Sequence, residues 1–147
     1  MKTFNQFISE AFDKPYRYDF EKEDENSYYG YFRAGDNSLI TVICDYYVTG
    51  DEWNIEFTRN GSQSVTGEGD AMRIFATVIK IIERFLKEEN PNRVRFSALK
   101  DDEDKEGKQS REKLYSRLVK RFATKMGYRA KERQLSIGTE WELTRKK

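Results

Sequence analysis

Strict alternation of apolar and polar side chains constrains the fold of this chain more than any other feature. In Glu52–Arg59, the apolar residues Trp53, Ile55 and Phe57 alternate with polar ones, and a period of two predicts a strand with one buried face. The stretch Leu39–Thr49 is long and β-branched. It places on one face Ile40, Val42, Cys44, Tyr46 and Val48. Both stretches therefore predict half-buried strands.

Two later segments have helical periodicity. The first follows the sequence Thr66-Gly67-Glu68-Gly69-Asp70, with Asp70 as a plausible N-cap, and we expect it to stop before Asn90-Pro91. Its apolar residues are Ile74, Phe75, Val78, Ile82, Phe85 and Leu86. The second is capped by Ser110 and ends at Gly127. Its apolar stripe is Leu114, Leu118, Phe122 and Met126.

The remaining strands complete an α+β pattern. Further strands are predicted at Tyr28–Arg33, Arg93–Leu99, Tyr128–Leu135 and Thr139–Arg145, with others around Tyr16–Phe20 and near Ser62–Thr66. The passage from strand to helix to strand after Asn60 favours a right-handed parallel crossover. Lys100–Gln109 is charged and predicts an exposed loop. We expect a mixed, mostly antiparallel sheet flanked by two main helices.

The chain is poor in the residues that build common catalytic and metal sites. It has 147 residues, one cysteine (Cys44) and no histidine. An internal disulfide, a histidine-dependent triad, a histidine metal site and a thiolate zinc site are therefore excluded. We expect one domain, with no metal. The aromatic content of 10 Phe, 9 Tyr and 2 Trp suits a β-rich core with large buried rings.

Charge is divided unevenly along the sequence. Residues 1–92 hold 10 basic and 17 acidic side chains, whereas residues 93–147 hold 17 basic and 9 acidic ones. Such a division can mark a face that meets nucleic acid or an acidic partner. It can equally reflect two solvated surfaces that attract each other across the domain.

The first eleven residues form a distinct segment. Phe4, Phe7 and Ile8 lie at helical spacing, but polar residues interrupt the apolar run, so a secretory signal is not indicated. The segment has no arginine, unlike a mitochondrial presequence, and no run in the chain is long enough to span a bilayer. Two interpretations remain: a helix that packs on the body, or a detachable address.

Met1–Ala11 closely resembles the capsid-targeting peptide of internal head proteins from large contractile-tailed, T-even-like phages. In that family, the prohead protease cuts after the Glu of a Leu/Ile-x-Glu motif. The resemblance implies that Ile8 and Glu10 are recognised and that cleavage falls between Glu10 and Ala11. It divides the chain into a propeptide (1–10), a linker (11–27) and a single α+β domain (28–147).

The order of elements resembles the Gcn5-related N-acetyltransferase fold. Gly67 and Gly69 match small positions in that family's loop for acetyl-coenzyme A, although Ser64 replaces its Arg or Gln. The resemblance implies that the cofactor would contact Gly67, Gly69, Asp70 and Ala71, and that Tyr115 would protonate the departing thiolate. A plain capped helix start is the alternative for the glycines, and a core-edge aromatic the alternative for Tyr115. Because the motifs are degraded and two helices are absent, we expect the shape without the catalysis.

The second predicted helix is strongly basic. The residues proposed for a basic surface are Arg111, Arg117, Lys120, Arg121 and Lys125. They could follow a phosphate backbone, or they could form an ordinary solvated helix face. Aromatic residues for stacking on bases are not clustered there, so base-specific recognition is not indicated.

These patterns support one preferred function and two alternatives. The preferred one is a phage internal head protein that is packaged in the capsid, trimmed by the prohead protease and injected with the DNA into the host cytoplasm. There it would bind and inhibit a host defence protein, without a cofactor. The alternatives are an acetyl-coenzyme A-dependent N-acetyltransferase and a DNA-associated or structural virion protein.

Overall fold

The structure is a computed structural model that describes residues 15–35, 37–59, 71–99, 108–135 and 138–146. For residues 59, 71, 72, 98, 99 and 108–115 it describes the backbone alone. The predictions for the remaining residues, including the strand near Ser62–Thr66, lie outside the described part of the chain.

The described residues form an α+β fold of seven strands and two helices. The strands are β1 (Asp19–Asp24), β2 (Ser27–Arg33), β3 (Leu39–Tyr47), β4 (Glu52–Arg59), β5 (Arg93–Leu99), β6 (Tyr128–Leu135) and β7 (Gly138–Arg145). The helices are α1 (Ala71–Glu89) and α2 (Lys108–Lys125). The strands form one open sheet in the order β1-β2-β3-β4-β5-β7-β6, and all neighbours are antiparallel except β4 and β5. Parallel pairing across the first helix is thus confirmed, with β4 as the strand before the helix; the predicted strand near Ser62–Thr66 lies outside the described residues.

The strand register gathers the large apolar side chains on one face of the sheet. Cys44 pairs with Ile55, Val42 with Phe57, and Phe96 with Trp141. All of these side chains are buried. Removing a large apolar side chain from water contributes about 1.5–3 kcal/mol each, so the alternation fixes which face is covered.

Helix α1 covers this face. Its Phe75 ring lies 6.2 Å from the Phe96 ring and 6.4 Å from the Trp141 ring. The helix also lies close to β2, because a Cβ atom at Gly30 would come within 2.9 Å of Cγ2 of Ile81. Glycine is required at that position for the helix to lie this near the sheet.

Helix α2 packs on the same face, farther along the sheet. The Ser116 hydroxyl on α2 donates to the Glu132 carboxylate on β6, and Nε1 of Trp141 on β7 donates to the same oxygen at 2.9 Å. Trp141 therefore contacts α1 through its ring and α2 through Glu132. Both helices flank the sheet from one side.

The parallel strands β4 and β5 are paired over a short distance. Trp53, Asn54 and Ile55 pair with Val94, Arg95 and Phe96, whereas β5 pairs with β7 along its whole length. On the buried face, the ring centroids of Phe57 on β4 and Phe96 on β5 are 5.9 Å apart. The carboxyl-terminal halves of the two parallel strands therefore lie beyond the paired region.

Several predicted boundaries need correction. The first strand runs over Asp19–Asp24, later than the predicted Tyr16–Phe20, because its partner β2 starts directly after a two-residue turn. Val48 does not continue the face of β3: it begins a 3₁₀ turn and is 75% exposed. Helix α2 starts at Lys108, before the predicted cap at Ser110. The stop of α1 at Glu89 is confirmed, with Asn90 in a left-handed conformation at φ 54°.

Candidate interaction surface

The sheet face opposite the helices is uncovered by any described element. Its centre carries the half-buried side chains Tyr29, Tyr31 and Ile43, with the two tyrosine rings stacked at 5.9 Å. Neighbouring side chains on an open sheet partly shield one another, so intermediate burial is expected there. We call this surface the open face.

One half of the open face is acidic. Strands β1 to β4 contribute mostly acidic side chains to it. The acidic residues include Asp19, Glu21, Asp24, Asp45, Glu52 and Glu56, and the basic residue is Arg33. These strands come from the acidic part of the sequence.

The other half of the open face is mainly basic. Strands β5, β7 and β6 contribute five basic side chains and two acidic ones. The basic residues are Arg93, Arg95, Arg129, Lys131 and Arg133, and the acidic ones are Glu140 and Glu142. The charge division in the sequence therefore becomes a division within one face of one sheet.

Arg95 joins the two halves. Its Nη1 donates to Glu140 on β7 at 2.9 Å, and its Nε lies 3.5 Å from Glu52 on β4. The Arg95 side chain is 34% exposed, so water screens these ion pairs and each contributes little to stability. Of the two sequence-based interpretations, attraction between acidic and basic surfaces is realised at this seam.

The basic surface predicted on the second helix is exposed where the structure describes its side chains. Arg117, Lys120, Arg121 and Lys125 all face solvent. The backbone of Arg111 is helical, and its side chain lies outside the description. The exposed set is compatible both with a solvated helix face and with a nucleic-acid surface.

The structure does not describe the side chains of the residues that the acetyltransferase resemblance implies for cofactor binding and catalysis. Gly67, Gly69 and Asp70 lie outside the described residues, and Ala71 is the first residue of α1. Tyr115 lies in α2 with its backbone alone described. The proposed roles of these residues stay predictions.

The processing residues also stay predictions, since Ile8, Glu10 and Ala11 lie outside the described residues. Within the part of the chain that the structure describes, no cluster of three or more His, Cys, Asp or Glu side chains could hold a metal ion. Neither described helix is long and apolar enough to cross a bilayer.

A carboxylate on the buried side of the sheet escaped the sequence analysis. Glu132 accepts hydrogen bonds from Ser116 and Trp141, while Gln134 donates to its second oxygen at 3.3 Å. Burial alone would raise the pKa of this carboxyl group, but these hydrogen bonds and the charge of Lys120 hold it below its ordinary value. The alternation of side chains along β6 could have revealed it, because Glu132 lies opposite Trp141 of β7 on the apolar face.

One known protein family covers most of the chain. The profile of a family of unknown function, DUF6934, matches residues 14–142. The chain belongs to DUF6934. The matched region runs from just before β1 into β7, so the DUF6934 region includes both helices and both halves of the open face. Comparison with curated proteins and with solved structures found no significant match.

Replacing Glu132 by Gln should reveal the charge on this carboxylate. Because its folded pKa lies below the unfolded value of 4.5, the ionised group stabilises the fold above that value, and the contribution is lost as the pH falls through the folded pKa. We expect E132Q to lose about 1 kcal/mol of unfolding free energy at neutral pH in urea titrations. The difference from the parent chain should shrink by about pH 3.

E88Q is the matched control, because Glu88 forms an exposed i,i+4 ion pair with Arg84 at 3.4 Å. Exposed pairs of this kind contribute little, so E88Q should stay close to the parent at both pH values. A loss in E132Q that is equal at both pH values would contradict a stabilising charge at this position.

Proposed function

We propose that this DUF6934 chain is an internal head protein of a large contractile-tailed phage. Met1–Glu10 is its address to the prohead, and the prohead protease removes it by cutting between Glu10 and Ala11. The mature protein is then delivered with the DNA and binds a host protein. The observation that carries this proposal is the eleven-residue match, in which the start, the aromatic spacing and the Ile-x-Glu-Ala motif coincide.

The extent of the body supports a removable address. The family match begins at residue 14, beyond the proposed cut. The backbone N–H of Tyr16 donates to Oγ1 of Thr77 on α1 at 2.9 Å. This contact lies after Ala11, so cleavage after Glu10 would leave it in place.

The open face supports binding to a partner protein. A surface with tyrosines at its centre, an acidic half and a basic half offers both apolar contact and charge selection. A host protein with the opposite charge arrangement would fit it. The exposed basic residues of α2 support the alternative of a DNA-associated virion protein.

The proposed cleavage predicts the first residue of the protein in virions. Mass spectrometry of purified particles should find a chain that starts at Ala11. E10A should leave the chain uncut, since the Glu precedes the cleaved bond. S9A is the matched control and should be cut normally, because the middle position of the motif is unrestricted. A virion protein that still starts at Met1, or its absence from virions, would contradict the proposal.

An N-acetyltransferase is the second candidate, favoured by the geometry of β4 and β5. These parallel strands pair only over Trp53–Ile55, and α1 follows β4 in the chain. Ligands of sheets with parallel strands bind beyond the carboxyl ends of those strands, where the next helix begins. The order of strands and helices and the pair Leu114-Tyr115 are the further support for an acetyltransferase-like fold.

Calorimetry with acetyl-coenzyme A tests this second candidate. An acetyltransferase should bind the cofactor, and Y115F should retain binding while losing acetyl transfer, because the phenol would act on the leaving thiolate. Absence of binding at about 1 mM ligand would exclude the cofactor site, since such weak affinity provides only about 4 kcal/mol.

A further inference from the structure

A cleft of about 530 Å³ opens where the segment before β1 passes the first turn of α1. Its walls include three arginines, two tyrosines and one aspartate: Arg17, Arg33, Arg73, Tyr16, Tyr31 and Asp19. All of these residues are described, and the cleft lies at the β1–β2 end of the sheet, away from the parallel pair β4–β5; Asp19, Tyr31 and Arg33 line it from the open face, and Tyr16 and Arg73 from the helix side. Its volume falls within the range of small-molecule sites.

One wall of the cleft is held in place by four contacts of Tyr16. Its ring stacks on Phe32 at 5.7 Å, and the Arg73 guanidinium carbon lies 3.9 Å from the centroid of the same ring. Its backbone N–H donates to Thr77, while its hydroxyl accepts a hydrogen bond from the Gly35 N–H at 3.0 Å. The tyrosine and the arginine on it therefore have little freedom, which reduces the ordering cost of binding.

The cleft carries positive charge in a form suited to phosphate. The residues that line the cleft supply three guanidinium groups and one carboxylate. Nη1 of Arg33 donates to the Asn37 carbonyl at 3.0 Å, which orients that side chain at the rim. A guanidinium group presents paired N–H donors that match phosphate oxygens, and Arg73 lies in the first turn of α1, where the helix dipole adds positive potential.

We propose that this cleft binds a phosphate ester of nucleotide size. One inorganic phosphate would leave most of a 530 Å³ cleft unfilled, whereas a nucleoside polyphosphate can place its phosphates on the arginines and its remainder beside Tyr31. The proposal requires no reaction and does not depend on the address peptide. Failure of either proposal leaves the other standing.

Calorimetry on the full chain tests the site with ATP, pyrophosphate and adenosine at about 1 mM. ATP and pyrophosphate should bind, and adenosine should not, because the phosphates provide the recognition. R33A and R73A should each weaken ATP binding about tenfold, the effect of losing one charge-assisted hydrogen bond. R17A should also weaken ATP binding. Because Arg17 is not part of the Tyr16 stack, this variant tests binding without removing a contact of that stack.

R84A is the matched control. Arg84 is an exposed arginine on the same helix that lies over the Phe20 ring at 5.1 Å, outside the cleft. It should leave ATP affinity unchanged. Three results would overturn the proposal: no binding of ATP or pyrophosphate, equal binding of adenosine, or a loss in R84A as large as in R33A. Circular dichroism of each variant checks that the fold is intact.

Discussion

One-sided burial is the constraint on which the rest of this structure depends. Strands β2 to β5 and β7 alternate, and the register places their apolar halves together under two helices that lie on the same face. The ring cluster of Phe75, Phe96 and Trp141 sits where α1 crosses from β4 to β5. Because most apolar side chains are buried there, the opposite face carries mainly polar and charged ones around Tyr29, Tyr31 and Ile43. The open face and its charge division are consequences of how the core is built.

The sequence predicted the parts of the fold that periodicity controls. The strands at Glu52–Arg59 and Arg93–Leu99, the end of α1 and the parallel crossover all follow from local patterns that burial enforces. The position of Val48 was wrong because β-branched composition continued past the point where the chain turns. Composition also could not tell on which face α2 lies, since that choice depends on contacts between distant residues such as Ser116 and Glu132.

Sites were harder to predict than strands for a physical reason. The cleft beside Tyr16 is lined by residues from the start of the body, from β2 and from α1. Because these residues are far apart in the sequence, no short motif predicts the cleft. Glu132 likewise gains its role from two partners on other elements. The proposed address peptide is the opposite case, since a protease would recognise it as a short sequence. The proposed address is contained in one short segment, whereas the cleft and the open face form only when distant segments fold together.

The central claim is that the body, from Ala11 onward, is complete without its address. Thermal unfolding of a chain that starts at Ala11, compared with the full chain, tests it most directly. The account predicts midpoints that agree within about 2 °C. If Phe4, Phe7 and Ile8 instead pack on the body, their removal would cost several kcal/mol. A fall in the midpoint of about 5 °C or more would therefore contradict a detachable address.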